Sequence, residues 1–161
     1  MDDISGVVKT ASIEGVRVQQ LAQIGTEGGP VLHMMRCDSP LYLGFGEIYF
    51  SEIVPGAVKA WKLHRRQTQH FAAPAGLIEV VIYDCRDNSP SRGRIESFLL
   101  GRPDHYRLLR VPPLVWYGFA ARSGTPGILA NCADLPHSPD ESERIPADSP
   151  LIPYSWTRAP S

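Results

Sequence analysis

Cysteine is scarce in this chain of 161 residues. Cys37, Cys85 and Cys132 are its only three, and no two of them form a Cys-x-x-Cys pair. An odd, scattered set builds neither a disulfide framework nor a zinc knuckle, so reduced thiols in a cytoplasm are the expectation. An excess of charge is missing as well. The 16 Lys and Arg face 17 Asp and Glu, a formal net charge of −1, which gives no global field to draw nucleic acid or an anionic membrane surface. No apolar run approaches the roughly 18 residues of a membrane span, and Met1-Asp2-Asp3 does not open a signal peptide. No repeat, heptad, low-complexity segment or convincing helical period occurs, which leaves out solenoids and coiled coils.

Turn-forming residues are plentiful instead. With 15 Pro and 14 Gly against ordinary globular values of 43% hydrophobic and 20% charged residues, the chain reads as many short strands joined by turns. Strands are expected over 16–21, 31–35, 47–53, 57–64, 77–84, 94–100, 106–111 and 128–132. The run 77–84 is apolar enough to be buried on both faces. Residues 1–12 read as a loose arm, and 72–76, Ala-Ala-Pro-Ala-Gly, as a tight connection. The Pro-rich acidic stretch from Pro136 cannot form a long helix. It reads as a tail, 136–161, folding back over the body and docking through Tyr154 and Trp156. The sum is one all-β domain over 1–161, a jelly-roll barrel.

Chemistry concentrates in 55–76, where cationic, imidazole and amide side chains crowd a strand-like pattern. Alternation puts Lys62 and His64 on one face and Trp61 and Leu63 on the other, with Lys59 on the second face unless a bulge intervenes. A bend follows at Arg65-Arg66-Gln67. On the 47–53 strand, Glu47, Tyr49 and Ser51 share a face. His33 reads as a surface or interface residue, His70 as packed or at a rim, and His105 and His137 as exposed.

Gly56, Lys62-x-His64, Gln67 and Gly76 resemble the first cupin motif, and residues 112–117, Pro-Pro-Leu-Val-Trp-Tyr, the second. More closely, four pieces together resemble the dTDP-4-dehydrorhamnose 3,5-epimerase family over about residues 13–156. They are Val58-Lys59-Ala60-Trp61 with His64 and Gln67, the Pro-Pro-x-x-Trp-x-Gly-Phe of 112–119, and Ile152-Pro153-Tyr154-x-Trp156. The resemblance implies a cupin-type barrel, a homodimer aided by an early strand, and cofactor-free proton transfer next to the ketone of a nucleotide-linked 4-keto-6-deoxy sugar. Such chemistry needs a base, an acid on the other face and a donor for the enolate oxygen.

By the same resemblance Lys62 stands at the base position and Tyr117 at a second acid-base position. The tail aspartate that pairs with the base has no clear counterpart, Asp148 lying within a residue of it. Lys62, His64 and Tyr117 are therefore the candidate catalytic residues. Lys59, Arg65, Gln67, Tyr49, Ser51 and Asn131 are the candidate substrate contacts, Lys59 replacing an arginine used against the pyrophosphate. Another phosphate-binding arginine is replaced within Gly28-Gly29. Many cupins hold a metal, but the matching positions here, Lys62, His64, Gln67 and Tyr117, offer one good ligand, so no metal and no cofactor are expected. The expected partners are a small-molecule substrate and a second copy of the chain, covering the apolar face around Trp61. Two other functions stay open: a barrel that binds a sugar nucleotide without turning it over, and a cyclase or isomerase of another pathway using Lys62 and Tyr117.

Overall fold

A computed structural model describes residues 5–157, and among them no helix occurs. Thirteen strands, numbered in chain order, build the fold. Six lie in one sheet in the order β1 (Ser5–Thr10), β2 (Arg17–Leu21), β10 (Arg107–Val111), β7 (Gln69–Ala75), β12 (Gly127–Ala133) and β5 (Glu47–Ile53). Five form the facing sheet in the order β13 (Ser142–Arg144), β6 (Val58–His64), β11 (Trp116–Ala121), β8 (Ile78–Tyr83) and β9 (Ile95–Leu100). The short β3 (Gln23–Ile24) and β4 (Val31–Leu32) pair apart from both. Neighbouring strands in both sheets run antiparallel, and the two sheets close on each other as a cupin-type jelly roll.

Period-two alternation decides what fills the space between the sheets. Phe71, Leu109, Val111, Val80, Ile82 and Phe119 point inward and form the core. The apolar run in β8 is buried on both faces, as its composition requires: Val80 and Ile82 face this core, while Val81 and Tyr83 face a second cluster outside the barrel. That cluster is roofed by the tail. Trp61, 1% exposed, meets Tyr154 edge-on at 5.9 Å and Trp156 at 5.1 Å between ring centroids, and its Nε1 donates to the Ala147 carbonyl at 3.2 Å. The surface expected to need a second copy of the chain is thus covered by the chain's own residues Ile145, Ile152, Tyr154 and Trp156.

Local sequence misled at three further places. Residues 5–10 of the expected arm form β1, paired with β2 through Lys9 with Val18 and Thr10 with Arg17; residues 1–4 lie outside the described ones. The expected connection at 72–76 belongs mostly to β7, where Ala72 and Ala75 pair with β12. Ala72 and Ala73 are fully buried, and a register shift against β12 accommodates Pro74, so burial overrides the turn signal. The tail carries a strand of its own, β13, whose Ser142, Glu143 and Arg144 lie opposite His64, Leu63 and Lys62.

A bulge in β6 sets the site. Tyr117 pairs with Lys62 but Phe119 pairs with Lys59, so Ala60 and Trp61 together oppose Gly118. The extra residue returns Lys59 to the face of Lys62 and His64 instead of leaving it with Trp61. Gly118 is required there. A Cβ would stand 2.5 Å from the Ala60 Cβ and 2.9 Å from the Trp156 ring.

Candidate active site

A cavity of about 660 Å³ opens inside the barrel, walled by β5, β6, β11 and β12 and reached by the tail. Tyr49, Ser51, Lys59, Lys62, His64 and Tyr117 line it, as the inward faces of their strands dictate. Gln67 and Asn131 line it as well.

His64 is buried at its floor, 4% exposed, and both ring nitrogens are engaged. Nδ1 lies 2.5 Å from Glu141 Oε2, and Nε2 lies 2.9 Å from the Tyr117 hydroxyl. The other Glu141 oxygen accepts the backbone N–H groups of Arg66 at 2.8 Å and Gln67 at 2.7 Å. This arrangement fixes the protons. A carboxylate only accepts, so Nδ1 carries the hydrogen and Nε2 presents a lone pair that accepts from Tyr117. Burial pushes the His64 pKa down, and the hydrogen bond and charge of Glu141 offset this only in part. Burial pushes Glu141 up, but the Gln67 N–H, the His64 ring and the Arg66 N–H outweigh it and hold the carboxyl below its usual range. Burial drives Tyr117 far above the ordinary phenol. At neutral pH the chain is therefore an ionised Glu141, a neutral His64 and a protonated Tyr117.

Three cations face this group. Lys59 and Arg144 stand at the mouth, while half-buried Lys62 lies deeper, directly across the ladder from Arg144. Burial, then the charge of Arg144, lowers the Lys62 pKa against the pull of Glu141 and Glu47.

Arg65 does not join them. The bend turns its guanidinium outward to the Asp140 carbonyl and to Glu143 at 2.6 Å, where it ties down the tail. Gln67 and Asn131 are held by the protein itself. The Gln67 Nε2 donates to the Leu135 carbonyl at 2.9 Å, and its Oε1 accepts from Gln69 at 3.2 Å. Asn131 accepts the His70 N–H at 3.1 Å and donates to the Tyr49 hydroxyl at 2.9 Å and to Gln69 Oε1 at 2.5 Å. These two residues shape the wall more than they offer free polar atoms. His70 is packed between the Cys132 and Leu41 carbonyls, at 2.9 and 3.0 Å.

Glu141, Arg144 and His137 were not foreseen. Exposed His137 edges the mouth, and Asp148, within a residue of where the resemblance puts the tail aspartate, is exposed and does not line the cavity. The signal for Glu141 is indirect: an inward histidine needs a carboxylate, and the acidic tail is what folds over it. No group of three or more His, Cys, Asp or Glu able to hold a metal occurs among the described residues.

A jelly roll with a buried carboxylate, imidazole and phenol in line beneath a cationic mouth defines a cupin-type barrel equipped for proton transfer. No family model matches the chain. It is 36% identical over 150 residues to the probable low-salt glycan biosynthesis epimerase Agl13 of Haloferax volcanii, covering 90% of this chain and 95% of that protein. It is 30% identical over 146 residues to the spore coat polysaccharide biosynthesis protein SpsL of Bacillus subtilis, covering 89% and 96%. The crystal structure of a dTDP sugar isomerase from Desulfovibrio desulfuricans superposes with a TM-score of 0.91 at 57% identity, covering 95% of this chain and 96% of that one. The chain belongs to the dTDP-4-dehydrorhamnose 3,5-epimerase-like family of dTDP-sugar epimerases and isomerases.

Proposed function

We propose that this protein epimerises or isomerises a dTDP-linked 4-keto-6-deoxyhexose by moving a proton on the carbon next to the ketone. The observation that carries this is the line from Glu141 through His64 to Tyr117 inside a cavity whose mouth is cationic. His64 Nε2 is the base: its lone pair is fixed by the Nδ1 hydrogen on Glu141, and substrate displaces the Tyr117 hydroxyl from it. Tyr117, still protonated, is the acid. Lys62 faces the ketone and stabilises its oxygen, to which the carbonyl π electrons move as the C–H electrons form the C=C bond. Lys59 and Arg144 at the mouth suit a diphosphate, which favours a sugar nucleotide over an uncharged carbonyl compound.

Incubation with a dTDP-4-keto-6-deoxyhexose in deuterium oxide should place deuterium next to the ketone, and His64→Ala should slow this by at least about tenfold. Binding without exchange would instead identify a non-catalytic sugar-nucleotide barrel, and absence of both would remove the nucleotide-sugar reading.

The protein works as a homodimer in a cytoplasm, where its three thiols stay reduced. With Trp61 covered by the tail, the surface left for a second copy is the outer side of β5 and its surroundings, where Val31, Phe45, Ile48 and Phe50 are exposed. Sedimentation should give twice the chain mass of 17.8 kDa at micromolar concentration, and Phe50→Glu should shift it to the monomer. A parent protein that sediments as a monomer would refute the dimer.

A further inference from the structure

Lys62 and Arg144 sit directly opposite each other in the ladder between β6 and β13, and both line the cavity. Like charges in that arrangement destabilise a sheet, and such breaches of local rules persist where chemistry needs them. Among the described residues no carboxylate forms an ion pair with Lys62, and its side chain makes no hydrogen bond. Glu141, the nearest acid on the tail side, is committed to His64 and two backbone N–H groups. The remaining titratable groups lining the cavity with Lys62 are Glu47 and Tyr49 on β5, Lys59 and His64 on its own strand, Tyr117 across the ladder on β11, and His137 on the tail. Partial burial and the adjacent guanidinium both favour the free amine over the ammonium. A desolvated lysine beside a second cation is a recognised way to make an amine nucleophilic towards a ketone.

Given the keto-sugar assignment of this cavity, on which the inference rests, we propose that Lys62 acts covalently, adding to the ketone carbon and forming an imine with the sugar. The Nζ lone pair makes the new C–N bond while the carbonyl π electrons move to oxygen, which takes a proton from nitrogen. The resulting hydroxyl leaves as water with a second proton from Tyr117, giving a positively charged C=N bond. His64 Nε2 then removes the hydrogen from the neighbouring carbon. The C–H electrons form a C=C bond, the C=N π electrons settle on nitrogen, and the enamine that results is neutral. Tyr117, reprotonated by solvent, then delivers a proton to the opposite face of the enamine and remakes the C=N bond. Water adds to that bond, its surplus proton returns to Tyr117 as the ketone and the free amine are regenerated, and His64 gives the abstracted proton to solvent. Water is the only co-reactant, released once and consumed once. Arg144 is a positioning residue in this scheme: it touches no reacting atom and acts by making Lys62 easier to deprotonate, against the pull of Glu141 and Glu47.

The full chain is incubated with a dTDP-4-keto-6-deoxyhexose and sodium cyanoborohydride, then weighed intact and mapped by peptide mass. Deuterium exchange is followed in parallel without reductant. The expected product is one reduced sugar-nucleotide adduct per chain on the peptide bearing Lys62, absent when dTDP alone is supplied. Arg144→Ala should move the pH of half-maximal trapping upward, and Arg144→Lys should move it back. Exchange without any adduct overturns the covalent step and leaves the epimerase assignment standing, while an adduct on Lys59 overturns the choice of lysine. Neither exchange nor adduct overturns the inference together with the substrate assignment beneath it. An Arg144→Ala profile identical to the parent's overturns the part given to Arg144.

Discussion

Glu141→Gln is expected to lower turnover by roughly 10²- to 10⁴-fold without unfolding the protein, the scale on which a misdirected general base is felt. One Glu141 oxygen meets two backbone N–H donors and the other meets His64 Nδ1. A glutamine has a single acceptor oxygen, and two donors outbid one for it. Its NH₂ group must then face Nδ1, which becomes an acceptor and sends the imidazole hydrogen to Nε2, where the lone pair is needed. The shape of the site is retained while the base loses its function. Deuterium exchange measures the loss, and a thermal melt checks the fold. A variant within threefold of the parent would show that the tautomer of His64 is immaterial. In the parent, the acidic limb of the kcat/KM profile should fall below the ordinary imidazole value of about 6.5, because burial favours neutral His64.

Trp61→Ala should cost about 3–5 kcal/mol, read as a lowered urea midpoint, because it empties the centre of the cluster under the tail. The loss should reach activity as well. The indole anchors Ala147, Tyr154 and Trp156, and the segment they hold down carries Glu141 and Arg144. Phe98→Ala, in the barrel core on the far edge strand, serves as the comparison: it should cost similar stability with less loss of turnover at low temperature. Equal losses of turnover in the two variants would mean that the tail has no special hold on the chemistry.

Strand alternation was enough to place His64, Lys62, Tyr49 and Ser51 in one cavity, because each needs only its own strand's period to point inward. Lys59 depended on a bulge, and a bulge is decided by the residue across the ladder: Gly118, lying 56 positions from Lys62, leaves room for two residues against one. Arg65 was drawn to the site by sequence proximity, but the bend after His64 reverses which way a side chain faces. Glu141 and Arg144 were out of reach for a different reason. Three residues with no apolar pattern become a strand only when the free edge of β6 is offered to them, so their inward positions belong to the assembled barrel and not to their own segment. The turn read at 72–76 failed likewise, since small residues that favour a bend in isolation also fit a crowded strand.

The pairing of β13 with β6 also bears on how the protein behaves in a crowded cell. Without β13, β6 would border its sheet with an open row of N–H and C=O groups beside a large indole, a template on which other chains can polymerise. At the opposite border, β9, Glu96 is already occupied by the backbone N–H and hydroxyl of Ser12, at 3.0 and 2.7 Å. The strand that completes the cavity is therefore also a guard against aggregation, and a chain cut short before residue 142 would be expected to precipitate before its lost activity could be assayed.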